Sequence, residues 1–204
     1  IDSPDFNLRL ARKAVERGIP VVLLGSPQVW AWRSGRAKWI AEHSCEVLCF
    51  YPFEPEWYTG HGGEAQCIGH PVASELPVLP GHGVAGLALV PGSRTQELKR
   101  LLTVMVRTAA RWRDARPGGR VFLARAPGLS DAWFETLPDW IEICTGLEEA
   151  LLSASVVLAC SGTASLEIAC LDRPQVVLYR MNPVTFAVAK TLLKVIRKLH
   201  FRTC

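Results

Sequence analysis

The sequence predicts an α/β protein with parallel sheets, and two observations support this organisation. Short β-branched or apolar runs, such as Val21-Val22-Leu23-Leu24, alternate with longer segments of helical pattern. Strands that alternate with helices form βαβ units, and such units build parallel sheets. A stretch rich in proline and glycine interrupts the alternation after Gly69-His70-Pro71. We therefore expect two α/β layers, over residues 1–70 and 87–182, joined by a linker over residues 71–86.

The elements follow in order from these patterns. The first layer is predicted to contain a helix over residues 7–18, a strand over 20–24, a helix over 33–43, and strands over 46–50 and 65–68. The second is predicted to contain strands over residues 87–90, 120–124, 141–144, 156–159 and 175–179, with helices over 96–113, 147–154 and 163–170. An amphipathic segment follows over residues 183–204.

Composition excludes several classes of protein. Hydrophobic residues make up 49% and charged residues 21% of the chain, which is a globular composition. No apolar run approaches the roughly 18 residues of a membrane span. The seven cysteines lack C-x-x-C spacing, and the five histidines lack metal-ligand spacing, so we expect a reducing compartment and no metal. Because the chain begins with Ile, we expect a natural N-terminal part to be missing.

Positive charge is concentrated near the C-terminus. The last 25 residues contain six Lys or Arg and no acid. This favours an anionic partner, whether phosphate, phospholipid or nucleic acid. The segment over residues 183–204 puts Phe186, Ala189, Leu193 and Ile196 on one face. It could lie on an anionic membrane surface or, more commonly for such helices, pack between domains.

A first candidate site is Ser161-Gly162-Thr163, which lies between a predicted strand and a predicted helix. Helix N-terminal N–H groups at the carboxyl edge of a parallel sheet bind anions. The alternative is that Ser161 or Thr163 is an ordinary N-cap. A capping box needs its acid three residues after the cap, but Glu167 lies four after Thr163. Glu167 could instead accept hydrogen bonds from a ribose diol, or be a solvated first-turn acid.

A second strand–turn–helix segment contains Gly92, Ser93 and Arg94. The fixed charge and forked donors of Arg94 suit a diphosphate, although a solvated arginine at a helix start is the alternative. Two such turns in one sheet favour an anion site over two plain caps. We therefore predict that the 161–163 turn both starts its helix and holds a charged ligand.

Two further groups of residues are candidates in the first layer. Trp30, Trp32 and Arg33 follow a buried strand and could contact a sugar or an acyl chain, or only pack between domains. Asp2 lies just ahead of a helix, where a carboxylate can act as a general base or as a cap. No G-x-S-x-G elbow or Walker loop occurs, which disfavours hydrolase and NTPase functions.

Taken together, these motifs resemble the lipid-A-disaccharide synthase family, glycosyltransferases of the GT-B fold. The resemblance covers nearly the whole chain, in family order, through Ile1-Asp2-Ser3-Pro4-Asp5-Phe6-Asn7, Ser26-Pro27-Gln28-Val29-Trp30-Ala31-Trp32-Arg33, Pro52-Phe53-Glu54, Ile68-Gly69-His70, Leu89-Val90-Pro91-Gly92-Ser93-Arg94, Ser161-Gly162-Thr163-Ala164-Ser165-Leu166-Glu167 and Tyr179-Arg180-Met181-Asn182-Pro183-Val184-Thr185-Phe186.

The resemblance implies a GT-B architecture with two Rossmann-like domains, the first incomplete and the second truncated, and a basic crossing helix over residues 183–204. It implies an inverting enzyme, without a cofactor or metal, that joins UDP-2,3-diacylglucosamine to 2,3-diacylglucosamine 1-phosphate and releases UDP. The family's proposed base matches Asp2 and its essential arginine matches Arg94. Its UDP site matches residues of both turns, namely Gly92, Ser93, Arg94, Ser161, Gly162, Thr163 and Glu167.

The resemblance further implies peripheral contact with the cytoplasmic face of an anionic inner membrane, no nucleic-acid partner, and compatibility with an oligomer. The family begins upstream of Ile1 and continues beyond Cys204, so we expect this chain to be the middle of the enzyme. A UDP-binding piece without catalysis is one alternative. Another GT-B enzyme, such as a UDP-GlcNAc epimerase, is a second.

Overall fold

A computed structural model describes residues 3–30, 35–43, 45–77, 79 and 86–180. Contacts between residues divide the chain into two compact units, with the boundary between Pro71 and Val72. Unit 1 lies before this boundary, and unit 2 extends from it to Asn182. The amphipathic segment predicted over residues 183–204 lies outside the described residues, as does most of the predicted linker. Each unit is a parallel sheet with helices, which confirms the predicted fold class.

Unit 1 alternates three helices with three strands. The helices are α1 (Pro4–Val15), α2 (Gly35–Glu42) and α3 (Glu54–Thr59), and the strands are β1 (Val22–Leu24), β2 (Glu46–Cys49) and β3 (Ala65–Cys67). The strands pair in the parallel order β1-β2-β3. Leu8 of α1, Ile40 of α2, Val47 of β2 and Tyr58 of α3 meet in one buried cluster.

Unit 2 contains a larger sheet. Its strands are β4 (Gly86–Val90), β5 (Arg120–Arg125), β6 (Ile141–Thr145), β7 (Val156–Cys160) and β8 (Gln175–Leu178). Its helices are α4 (Val72–Glu75), α5 (Thr95–Asp114), α6 (Leu147–Leu152) and α7 (Thr163–Cys170), with a 3-10 turn over Asp131–Trp133. All neighbouring strands are parallel, in the order β6-β5-β4-β7-β8.

The strand β4 is the centre of unit 2, because all five of its residues are buried. Leu87 and Leu89 face a cluster that includes Leu98 and Met105 of α5. Ala88 and Val90 belong to a second cluster, with Ala150 of α6 and Ile168 of α7 among its members. When helices cover both faces of a strand, apolar residues occupy every position. This explains why apolar and polar residues do not alternate in Gly86-Leu87-Ala88-Leu89-Val90.

The strand order contains one reversal that matters for function. From β4 the chain moves through β5 to β6 on one side, and then crosses to β7 and β8 on the other. The reversal lies between β4 and β7, which pair directly, with Val90 opposite Ala159. In open parallel sheets, ligands bind at such a switch point, outside the carboxyl ends of the strands.

The element predictions are correct in type but differ in detail. The first helix begins at Pro4 rather than residue 7, because proline suits the first turn of a helix, where its missing N–H costs nothing. The pattern did not predict α3 and α4, which are too short to show helical periodicity. Within the stretch predicted as a linker, α4 forms a helical turn that contacts α7. Among the described residues, no helix combines the length and apolar character that a membrane crossing requires.

Candidate functional site

A cleft of about 310 Å³ opens at the switch point of unit 2. The turns that follow β4, β5, β6 and β7 all contribute to its lining. It contains all seven residues predicted for the nucleotide: Gly92, Ser93, Arg94, Ser161, Gly162, Thr163 and Glu167. Direct pairing of β4 with β7 brings the two groups together, although about 70 residues separate them in the sequence. Their role toward a nucleotide stays a prediction.

The turn after β4, formed by Pro91-Gly92-Ser93-Arg94, is closed by a carboxylate of its own helix. Glu97 is the third residue of α5, and its Oε2 atom accepts hydrogen bonds from the backbone N–H groups of Ser93 and Arg94, both at 3.2 Å. The carboxylate thus satisfies the N–H of the N-cap residue and that of the residue before it. Gly92 has φ +99°, a backbone conformation that favours glycine, and a Cβ atom there would displace the carboxylate of Glu97.

Arg94 is the N-cap residue of α5, and its side chain is 81% exposed. Its Nη1 donates a hydrogen bond to Oε1 of Glu97 at 3.2 Å. The guanidinium thus stands at the cleft with one donor engaged. The side chain is solvated, as the alternative interpretation expected, but an ion pair holds it. Its role toward a diphosphate stays a prediction.

The turn before α6 is closed in a similar way. Gly146 has φ +96° and precedes the first residue of the helix. Glu149 is the third residue of α6, and its Oε2 accepts the backbone N–H of Thr145 at 2.5 Å. Gly146 and Leu147 line the cleft, but the carboxylate of Glu149 does not.

The turn after β7 differs because α7 has no acid in its first turn. The N-cap is Gly162, so the interpretation of Ser161 or Thr163 as the cap is wrong. The hydroxyl of Ser165 lies 3.4 Å from the N atom of Gly162 and donates to its carbonyl oxygen at 2.6 Å. Ser161, Gly162 and Thr163 are all exposed. The N-terminus of α7 therefore faces the cleft without a carboxylate of its own.

Gly162 and Gly92 also differ in what surrounds them. The backbone of Gly162 is extended, with φ 160°, and a Cβ atom built there would meet nothing within 4 Å. Its small size is therefore not needed for packing within the chain. It leaves the backbone open to the cleft instead.

One further acid, Glu167, and one thiol, Cys160, complete the cleft. Glu167 lies in the second turn of α7, half-buried and lining the cleft, so it is not a solvated first-turn acid, and its role toward a ribose stays a prediction. Cys160, the last residue of β7, is buried beneath the same turn. Burial raises the pKa of the Cys160 thiol, and the nearby charge of Glu97 raises it further. A protonated, buried thiol is a poor nucleophile.

Sequence reasoning missed Glu97. The available signal was the capping spacing, in which an acid lies three residues after Arg94 at the helix start. Cap preferences name Ser, Thr, Asp and Asn as the first residue, so an arginine in that place hid the pattern.

In unit 1, Trp30 belongs to a buried polar network. Its indole Nε1 donates to Oε1 of Glu54 at 3.2 Å, and its ring packs edge-on against Phe53 at 5.1 Å. The other oxygen of Glu54 accepts the N–H groups of Phe50 and Tyr51. Glu54 is only 1% exposed, so its bonds to three donors keep a buried carboxylate satisfied. Sequence reasoning gave Glu54 no role.

A second hydrogen bond links the segment just before Trp30 to α3. The hydroxyls of Ser26 and Tyr58 lie 3.1 Å apart, and burial raises the pKa of Tyr58. Trp30 is thus held by the hydrogen bond from its indole N–H to Glu54 and by the packing of its ring against Phe53. The candidates Asp2, Trp32 and Arg33 lie outside the described residues.

A five-stranded parallel sheet with a cleft at its switch point, lined by strand–turn–helix segments, defines the class of Rossmann-like α/β proteins. Comparison with known proteins identifies the family. The sequence profile of the Lipid-A-disaccharide synthetase family matches residues 1–197, and the chain belongs to that family.

Individual relatives agree with the family assignment. A lipid-A-disaccharide synthase of Alkalilimnicola ehrlichii is 41% identical over 96% of this chain and 56% of that protein. The enzymes of that name from Anaeromyxobacter sp. strain K and Neisseria meningitidis serogroup B are 40% and 35% identical, again over 96% of this chain. The chain spans about half the length of the curated relatives it matches.

Proposed function

We propose that the full-length protein is an inverting glycosyltransferase that forms the lipid A disaccharide. It joins UDP-2,3-diacylglucosamine to 2,3-diacylglucosamine 1-phosphate and releases UDP. Membership of the family and the names of the relatives support this reaction. The structural observation that carries it is the open N-terminus of α7 beside Arg94, at the switch point of a Rossmann-like sheet.

The reaction needs a site that stabilises a departing diphosphate. The acceptor 6-hydroxyl attacks the anomeric carbon of the donor and gives up its proton, while the bond from that carbon to the UDP oxygen breaks. Both electrons of this bond leave with UDP, and the configuration inverts. The N–H groups at the start of α7, where that of Gly162 donates only to the weakly placed Ser165 hydroxyl, stabilise the charge that develops on UDP together with the positive end of the α7 dipole and the guanidinium of Arg94.

Glu167 accepts hydrogen bonds from the ribose diol of UDP in this proposal. It lies one turn along α7 from the phosphate-binding turn and lines the same cleft. Asp2 is the base that takes the proton of the acceptor hydroxyl, an assignment that rests on the family resemblance. Trp30, Trp32 and Arg33 contribute to the acceptor and acyl region.

The acylated substrates suggest where the enzyme works. We propose that it acts at the cytoplasmic face of the inner membrane as a peripheral protein. The basic C-terminal segment, with six Lys or Arg in 25 residues, supports attraction to an anionic lipid surface. The domain division proposed from the sequence gives residues 1–70 to the acceptor side and 87–182 to UDP-sugar binding. The proposal is compatible with an oligomer.

The experiment combines calorimetry with turnover on the full-length protein. We expect UDP to bind and UDP-diacylglucosamine to be converted, whereas non-acylated UDP-GlcNAc reacts poorly. Asp2→Ala should remove turnover but keep UDP binding. Binding without turnover in the wild type would favour a nucleotide-binding protein that is not an enzyme. Epimerisation of UDP-GlcNAc would favour the epimerase alternative. Absence of UDP binding would contradict all three hypotheses, namely the glycosyltransferase, the nucleotide-binding protein and the epimerase.

A further inference from the structure

We propose that Glu97 is a positioning residue for the transfer reaction. Its carboxylate serves as a built-in anion for the turn after β4, so that an incoming diphosphate is directed to the turn after β7 and Arg94 is held beside it. This inference rests on the proposed function, because it assumes that the cleft takes UDP.

The first argument concerns the space at the start of α5. Oε2 of Glu97 accepts the N–H groups of Ser93 and Arg94, and these are donors that an external phosphate would otherwise use. A second anion placed there would meet a carboxylate of like charge at close range, in a site where Glu97 is only 24% exposed. The N–H groups of Ser93 and Arg94 are therefore closed to a diphosphate, although the sequence of this turn resembles an anion-binding turn.

The second argument concerns what the closed turn leaves open. Three helices of unit 2 begin at turns that line the cleft, namely α5, α6 and α7. Glu97 caps the turn of α5 and Glu149 caps the turn of α6, whereas α7 has no acid in its first turn. Among the described residues, α7 thus offers the one helix N-terminus at this cleft without an internal carboxylate. The diphosphate is directed there by exclusion as well as by attraction.

The third argument concerns Arg94. An arginine side chain that is 81% exposed would sample many rotamers if nothing held it. The ion pair with Glu97 engages Nη1 and restrains the guanidinium at the cleft. A guanidinium carries five N–H donors in a rigid fork, so the remaining donors suit phosphate oxygens. Glu97 therefore acts through Arg94 and need not touch the substrate.

Two substitutions separate these roles in the full-length protein. Glu97→Gln keeps an oxygen that can accept the backbone N–H groups but removes the charge that holds Arg94. Glu97→Ala removes both and opens the start of α5. Glu149→Gln controls for the loss of a capping charge, because Glu149 is the equivalent third-position cap of α6. Glu148→Gln is the kinetic control, because Glu148 is an exposed acid of the same turn that contributes no lining to the cleft.

Kinetics give the first readout. We expect Glu97→Gln to lower kcat by about tenfold to a hundredfold, with a KM for the donor that changes by less than about threefold, because a misplaced Arg94 fails mainly in the transition state. Its melting temperature should match that of Glu149→Gln. If Glu97→Gln kept the kcat of the Glu148→Gln control, Glu97 would be only a structural cap and the inference would be wrong.

Amide chemical shifts in 15N-labelled protein give a second readout that does not depend on turnover. UDP should shift the amide resonances of Gly162 and Thr163 in the wild type and leave those of Ser93 nearly unchanged. In Glu97→Ala, UDP or inorganic pyrophosphate should shift the Ser93 resonance as well, since the start of α5 is then open.

The outcomes separate this inference from the proposed function. If UDP shifted Gly162 but Ser93 did not respond in Glu97→Ala, the inference alone would fail. If UDP shifted Ser93 more than Gly162 in the wild type, the inference would again fail while the cleft still bound UDP. If UDP shifted neither residue in the wild type, the proposed function would fail and the inference with it.

Discussion

The turns after β4 and β7 share one architecture but differ in what occupies them. Both follow a buried strand, contain a glycine and start a helix at the same cleft. The carboxylate of Glu97 fills the first, whereas the second is exposed and has only the hydroxyl of Ser165 nearby. The difference teaches that a strand–turn–helix segment is not by itself an anion site. The free N–H groups are available only where the helix does not supply its own acid.

The two glycines show the same difference in backbone terms. Gly92 is needed by the protein itself, because its φ is positive and a side chain would collide with Glu97. Gly162 meets neither condition, since its backbone is extended and the space beside it is open. In the proposed function, Gly162 instead lets a diphosphate approach the backbone closely. The following predictions test this comparison, starting with the largest expected effect.

Arg94 is the part of the filled turn that we expect to serve the ligand. Arg94→Ala should lower kcat/KM by about a hundredfold or more, a loss of about 3 kcal/mol of transition-state stabilisation. Its thermal stability should change little, because the side chain is mostly exposed. Steady-state kinetics of the full-length protein measure this, with Arg107→Ala as the control, since Arg107 is an exposed arginine of the same helix outside the cleft. Equal rates for the two variants would remove Arg94 from the mechanism.

Alanine at the two glycines should give opposite results. Gly92→Ala should reduce the free energy of unfolding by about 2 kcal/mol, since it combines a strained φ with displacement of Glu97. Gly162→Ala should cost less than about 1 kcal/mol of stability, yet weaken UDP binding by about tenfold to thirtyfold because its methyl group blocks the phosphate. Denaturant unfolding and UDP calorimetry on both variants measure this. A larger stability loss at Gly162 than at Gly92 would contradict the comparison.

Glu167 should affect only the ribose. Glu167→Gln should weaken UDP binding by about tenfold, or about 1.4 kcal/mol, the range for a hydrogen bond to a charged group. With 2′-deoxy-UDP, the same substitution should have a much smaller effect, because part of the interaction is already absent. Calorimetry of both proteins with both nucleotides gives the coupling between Glu167 and the hydroxyl. Additive losses would show that Glu167 does not contact that hydroxyl.

The thiol beneath the open turn should give the smallest effect. Cys160 is 5% exposed, and burial raises its pKa, so we expect it to stay protonated and react more than about tenfold more slowly with iodoacetamide at pH 8 than the exposed Cys170. Mass spectrometry of timed samples measures both rates. Rapid labelling of Cys160 would show that solvent and reagent reach the end of β7 beneath Ser161.

Much of the molecule could be predicted from the sequence because the information is local. The apolar run Leu87-Ala88-Leu89-Val90 was predicted as a strand, which is one residue longer in the structure, and the segment from Thr163 to Cys170 was predicted as a helix with both ends correct. The short helices α3 and α4 were missed, since one or two turns carry too little periodicity to detect. The family resemblance held over almost the whole chain.

The sequence by itself determined the α/β class, the two turns and the residue types that suit a diphosphate. Only the tertiary structure decided that β4 and β7 are neighbours, which places Arg94 and Gly162 in one cleft. It also decided which turn is filled, because the position of the Glu97 carboxylate depends on how α5 starts against its strand. Strand order and the filling of a helix N-terminus depend on contacts in space. Spacing along the chain can indicate such contacts but cannot fix them.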